Sequence, residues 1–163
     1  MDPQALYKKY LESSLRFLAY RPRSEKEVRD NLTKKKAPSD VIKKIIIWLK
    51  EQKFLNDEEF VRWWIEQRSQ FRQKGIRIIK LELKQKGIRQ ELIDIVVQGA
   101  EYKAPSDLES AKKIVEKKIA KYRGLDRREI YQKLGAHLAR RGFDWETIKK
   151  SIDDVIPANL NDD

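Results

Sequence analysis

The feature that most constrains this chain is that it matches itself. Displaced by 55 residues, "IKLELKQKGIRQELIDIVV" (79–97) lies over "LGAHLARRGFDWETIKKSI" (134–152). Leu83 then meets Leu138, Gly87 meets Gly142, Ile88 meets Phe143, Ile93 meets Ile148 and Val97 meets Ile152. The same displacement pairs Phe60, Trp64 and Arg68 with Val115, Ile119 and Arg123. Displaced by 51, "VRDNLTKKKAPSDVIKKII" (28–46) lies over 79–97, bringing Val28 onto Ile79, Leu32 onto Leu83 and Ile42 onto Ile93. Any two amphipathic helices match in part. Registers that hold across a long helix, a short helix and a turn mark an internal repeat.

Apolar residues recur three and four apart and strand-type alternation is nearly absent, so the fold class is all-α. The pattern predicts helices at 4–20, 24–35, 39–52, 56–73, 76–86, 89–100, 106–122, 126–141 and 144–156. Ser24 with Glu27, Asn56 with Glu59, Ser106 with Glu109 and Asp126 with Glu129 have capping-box spacing, which satisfies first-turn amides reciprocally. Pro22, Pro38 and Pro105 fall at breaks, where a missing amide hydrogen costs nothing. The repeat and the caps together predict three tandem three-helix units: 4–55, 56–101 and 106–156. Three short helices bury a core that is marginal alone, so stacked neighbours stabilise one another.

Gly87 and Gly142 are expected in the left-handed conformation that ends a helix. The first unit has Lys36 at the corresponding place, which predicts a differently built turn there, with Pro38 as the break.

Catalytic constellations are not found. The chain has no cysteine, which excludes disulfides, thiolate metal sites and cysteine nucleophiles. His137, the one histidine, has no serine or acid recognisably arranged with it and is expected to be a partly exposed helix residue. No phosphate-binding glycine loop, dinucleotide pattern or metal-ligand spacing occurs, so no enzyme activity, cofactor or metal is expected. The first-turn pair Glu58–Glu59 is explained by the helix dipole. The N-terminal stretch lacks a long apolar run and a small-residue cleavage site, and runs such as Ile45 to Leu49 are far too short to span a membrane. The expectation is a cytoplasmic protein with no membrane partner.

Four tryptophans could stack nucleobases: Trp48, Trp63, Trp64 and Trp145. Trp64 shares a helical face with Phe60 and Arg68 and is expected in the core. Trp63 points about 100° away, toward solvent, a neighbouring unit or further core.

Charge is the stronger lead. There are 37 Lys and Arg against 26 Asp and Glu, a net +11, which favours a polyanionic partner. Residues 1–55 carry +7 of that surplus. It includes Arg21, Arg23, Lys34, Lys35, Lys36, Lys43 and Lys44 around two turns, and Arg68, Arg72, Lys74 and Arg77 form a second cluster at a corresponding corner. Clustered cations neutralise phosphates with a salt-dependent, sequence-independent affinity.

"LRFLAYRPRSEKEVRDNL" (15–32), "FLNDEEFVRWWIEQRS" (54–69) and "KGIRIIKLELKQKGI" (74–88) resemble the RecX regulatory proteins of bacteria, and "LARRGFDWETIKKSI" (138–152) extends the match. The departure is "KKKAP" (34–38), where that family commonly has a basic-glycine helix ending. The resemblance implies three tandem three-helix repeats in an elongated, curved array. It also implies a non-enzymatic modulator that lodges in the groove of the RecA–DNA filament and restrains recombinase, ATPase and coprotease activity, with direct contact to single- or double-stranded DNA. The expected agent is a monomer. Candidate RecA- or DNA-binding residues, chosen on charge and expected exposure, are Arg21, Arg23, Lys35, Lys36, Arg68, Arg72, Lys74, Arg77, Arg140 and Arg141. Two other readings are a DNA-binding repressor or architectural protein that works without RecA, and a helical adaptor whose charge only keeps it in solution.

Overall fold

The computed structural model describes residues 2–99, 102 and 104–156. Among them the secondary structure is helical throughout: α1 (Pro3–Ala19), α2 (Glu25–Lys34), α3 (Ser39–Glu51), α4 (Asp57–Glu66), α5 (Ile76–Gln85), α6 (Gln90–Gln98), α7 (Asp107–Lys118), α8 (Arg127–Arg140) and α9 (Trp145–Val155). The all-α repeat expectation holds. Ala100, the predicted last residue of the sixth helix, and Glu101, the predicted end of the middle unit, lie outside the described residues.

Two predicted helices change type before they end. The 56–73 span leaves α geometry at Glu66 and runs on as π-helix through Gln67–Phe71. Ser69 contributes to that change by donating its hydroxyl back to the Ile65 carbonyl at 2.7 Å, which competes for the α-helical acceptor. The 106–122 span tightens into 3-10 geometry over Ile119–Tyr122.

The helix starts follow the caps. Ser24, Ser106 and Asp126 each form the full reciprocal box with the glutamate three residues on. Asn56 accepts from the amides of Glu58 at 2.9 Å and Glu59 at 3.3 Å.

The chain packs as two compact units, one of Met1–Trp63 with Leu83–Tyr102, the other of Trp64–Glu82 with Lys103–Asp163. In the first, Val28, Leu32, Ile45, Ile46 and Leu49 of α2 and α3 form a buried cluster, onto which Leu6, Leu11 and Leu15 of α1 pack. In the second, Ala111, Ile114 and Val115 of α7 meet Ile130, Leu134 and Leu138 of α8 and Ile148 and Ile152 of α9. Residues matched by the self-alignment thus fill equivalent core positions, each worth about 1.5–3 kcal/mol when fully buried.

The turn after α2 corrects an expectation. Lys36 adopts φ 61, beside φ 80 at Gly87 and φ 91 at Gly142. The hydrogen bonds match as well. The Lys36 amide donates to Thr33 O and that of Ala37 to Leu32 O, as Gly87 does to Lys84 and Ile88 to Leu83, and as Gly142 does to Ala139 and Phe143 to Leu138. The turn is built identically, with a lysine in the left-handed position. Closing the α2 carbonyls outweighs the strain of a side chain there.

Within each unit the start of one repeat's second helix docks on the next repeat. In the first unit, Ser24 Oγ donates to Lys86 O at 2.7 Å and the Glu25 amide donates to Asp57 Oδ1 at 2.8 Å. In the second, the Gly75 amide donates to Arg141 O at 2.8 Å and the Ile76 amide donates to Asp107 Oδ1 at 3.0 Å. Ser24 and Gly75, and Lys86 and Arg141, are pairs matched by the self-alignment. Lys35 is the third member of the acceptor series, and its carbonyl is instead closed by the Tyr10 hydroxyl at 3.2 Å.

Candidate functional site

The candidate cations fall into two kinds, those that hold the fold and those that point outward. Arg68 and Lys74 are of the first kind. Both bind Glu82, Arg68 through Nε at 3.0 Å and Lys74 through Nζ, and the Trp64 indole donates to the same carboxylate at 3.0 Å. The Arg68 guanidinium also lies 4.1 Å from the centre of the Trp64 ring. Glu82 therefore ties α5 to the end of α4. The expectation that Arg68 and Lys74 are freely exposed is corrected, because both are half-buried and each is ion-paired.

Close by, the chain brings together residues distant in sequence. Arg141 Nη1 donates to the Arg72 carbonyl, and Arg141 O accepts from the Gly75 amide. Gly75 is needed there, since a Cβ would collide with the Gly142 carbonyl. Gly142 is needed too, since its own Cβ would stand 2.6 Å from Ile78 Cγ1. This glycine-to-glycine joint brings Arg72 to Arg141 at the C-terminus of α8, with Arg77 two residues beyond Gly75 and Arg140 directly before Arg141. Arg72, Arg77 and Arg140 are exposed, and among the described residues none of the three has an ion-pair partner. His137 reports the local field. Burial first, then Lys118, Arg141 and Arg140, push its imidazole below the ordinary value, and it accepts a hydrogen bond from Arg141 Nε at 3.2 Å.

In the first unit Arg21 and Arg23 are also occupied. Arg21 grips Glu27 with both nitrogens, at 2.6 and 3.2 Å, and lies 5.6 Å from the centre of the Trp63 ring. Trp63 is half-buried and tilted against Phe60, so it contacts both a neighbouring repeat and the core. Arg23 packs 3.9 Å from the Phe17 ring centre and donates to Phe17 O at 3.3 Å. Lys86 completes the site at 2.9 Å from Glu27. Burial alone would raise the Glu27 carboxyl, but hydrogen bonds from Arg21, Lys86 and the Ser24 amide bring it down to about 2.

Lys35 and Lys36 are exposed at the end of α2. Lys35 Nζ donates to the buried Ser13 hydroxyl at one side of a cleft of about 370 Å³ lined by Lys9, Tyr10, Ser13, Arg16 and Lys35. Lys9 and Arg16 were missed by sequence reasoning. The available signal was their spacing, two turns apart on one face of α1. Among the tryptophans, Trp64 is buried as expected, Trp48 stacks on Phe54, and Trp145 is exposed.

The comparisons fix the family. The sequence matches the models described as RecX first three-helix domain over 11–49, second over 56–97 and third over 106–152. A regulatory protein RecX of Streptomyces lividans is 31% identical over 129 residues, covering 79% of this chain and 68% of its own. The chain belongs to the RecX family. A regulatory protein RecX of Bacillus pumilus is 37% identical over 148 residues, 91% of this chain and 56% of its own. This RecX-family chain thus spans little more than half the length of that relative. The crystal structure of RecX from Lactobacillus salivarius superposes with a TM-score of 0.78 at 25% identity, covering 93% of this chain and 97% of that one. Among the described residues no helix is long and apolar enough to cross a membrane.

Proposed function

We propose that this RecX-family chain regulates the RecA recombinase by binding the RecA–DNA filament and restraining its recombinase, ATPase and coprotease activities in DNA repair and the SOS response. It does so without catalysis of its own, as a cytoplasmic monomer. The observation that carries the reading is that Arg72, Arg77 and Arg140 are exposed beside a joint where Gly75 and Gly142 let two turns pack closely. Guanidiniums without an ion-pair partner among the described residues suit phosphates or carboxylates, which they meet with planar, two-pronged hydrogen bonding. The exposed Lys35–Lys36 turn and the cleft beside it supply a second cationic area. The repeats 4–55, 56–101 and 106–156 act as successive contact modules, so weak contacts to successive protomers add through effective concentration.

The test is to add the protein to RecA assembled on single-stranded DNA and follow ATP hydrolysis and filament length. The expected outcome is reduced hydrolysis and shorter filaments. Unchanged RecA at saturating protein, with tight binding to bare duplex DNA, would replace this reading with that of a DNA-binding protein acting alone.

A further inference from the structure

Phe71 is out of place by the rules of its own helix. Seven residues after Trp64, close to two full α-helical turns, it should continue the buried face of Phe60 and Trp64. Those two rings are 1% and 6% exposed, yet Phe71 is 70% exposed. The π-helical stretch Gln67–Phe71 is what turns it outward, because its wider i→i+5 turns advance the register. Just beyond, Gln73 is held at φ 49, a conformation that favours glycine. Two irregular backbone features therefore bracket Phe71 and Arg72, and such features concentrate at functional sites.

An exposed aromatic is ordinary by itself. Its surroundings set Phe71 apart. Tyr20, Phe54 and Trp145 are exposed as well, but Arg21 next to Tyr20 is spent on Glu27, Phe54 is stacked on Trp48, and Trp145 stands between Asp144 and Glu146. Phe71 directly precedes exposed Arg72, whose carbonyl accepts from Arg141 Nη1.

We infer that Phe71 is a stacking platform for an unpaired nucleobase, with Arg72, Arg77 and Arg140 taking the flanking phosphates. The inference rests on the reading above that DNA is a partner, and it names single-stranded nucleic acid as the ligand of this corner. The chemistry separates strands. Any base offers a π face to a ring, whereas a duplex keeps its bases stacked inside and offers this corner only phosphates. Unpaired guanidiniums take phosphates on either strand form, so Phe71 supplies the preference and the arginines supply salt-dependent affinity.

The test uses the full chain, a labelled oligothymidylate and a duplex of the same length, with fluorescence anisotropy as readout. Phe71→Ala should weaken single-strand binding about 5- to 100-fold while leaving duplex binding unchanged, and Phe71→Tyr should retain both. Thermal melting of Phe71→Ala should match the parent, since the side chain is exposed. Arg72→Ala should lower the salt slope on either ligand by about 0.7 to 0.9. Undiminished single-strand binding by Phe71→Ala, or an equal loss on duplex, overturns the inference. RecA-dependent ATP hydrolysis, measured in parallel, keeps the two ideas apart. A parent protein that restrains RecA but does not bind oligothymidylate sinks the inference alone. One that binds oligothymidylate through Phe71 and leaves RecA untouched sinks the regulatory reading alone.

Discussion

Asp57 accepts the backbone amide of Glu25 at 2.8 Å across 32 residues, so the first residue of α4 caps the first residue of α2. Asp107 does the same for Ile76 in the other unit, at 3.0 Å. One repeat therefore satisfies an orphan amide of the repeat before it. Gly75 precedes α5 with no side chain to do that work, which makes Asp107 the cap of that helix.

Asp107→Ala leaves the half-buried Ile76 amide without this partner. It should cost about 1–2 kcal/mol in urea unfolding, with Asp57→Ala similar. Burial raises both carboxyls above their ordinary value. A raised folded-state carboxyl favours the folded state below its unfolded pKa and loses that benefit as pH rises through the folded pKa. Asp107→Asn should therefore reduce the gain in stability on acidification that this group supplies, measured as Tm against pH relative to the parent.

Glu27 has the opposite sign. Its carboxyl lies at about 2 against an ordinary 4.5, so its contribution is complete above 4.5 and is lost as pH falls toward 2. Glu27→Gln should remove about 1–2 kcal/mol at neutral pH, after allowance for solvent screening, and flatten the acid limb of the stability curve. Chemical denaturation at neutral pH and at pH near 3 checks both halves.

Lys36 and Gly142 are expected to respond in opposite directions. Lys36→Gly relieves a left-handed side chain and should stabilise the fold by about 0.5–1 kcal/mol. Gly142→Ala should destabilise by more than about 1 kcal/mol, because strain at φ 91 is joined by a clash with Ile78. Paired urea melts of the two variants decide this.

The candidate cations should separate into stability and binding residues. Reversing Arg72, Arg77 and Arg140 to glutamate should leave Tm within a few degrees of the parent and weaken binding to RecA filaments on DNA at least about tenfold. Reversing Arg68 and Lys74 should lower Tm first, since it strips Glu82 of both cations beside the Trp64 indole. Filament co-sedimentation and melting, run on the same preparations, distinguish the two sets. Equal binding by the Arg72, Arg77 and Arg140 variant would remove this corner from the interface.

Much of the fold was legible because it is local. Capping boxes at Ser24, Ser106 and Asp126 set helix starts through hydrogen bonds spanning three residues, and the Gly87 and Gly142 turns follow from backbone sterics alone. The self-alignment worked because equivalent core positions need apolar side chains at the same helical spacing. Lys36 departs from expectation because the local hydrogen bonds that close α2, from Lys36 to Thr33 and from Ala37 to Leu32, outweigh residue preference. The end of α4 departs from it because no pattern of apolar residues marks a π-turn.

The chemistry of single residues and their spacing determined by themselves that this chain is an all-α repeat with a cationic surplus. Only the tertiary structure decided which cations are spent and which are presented. Arg68, Lys74 and Arg21 are drawn to Glu82 and Glu27, from 14, 8 and 6 residues away along the chain. Arg72 meets Arg141 across 69 residues, through a joint that two glycines allow. Charge is a property of composition, but whether a charge is free depends on what the fold places beside it.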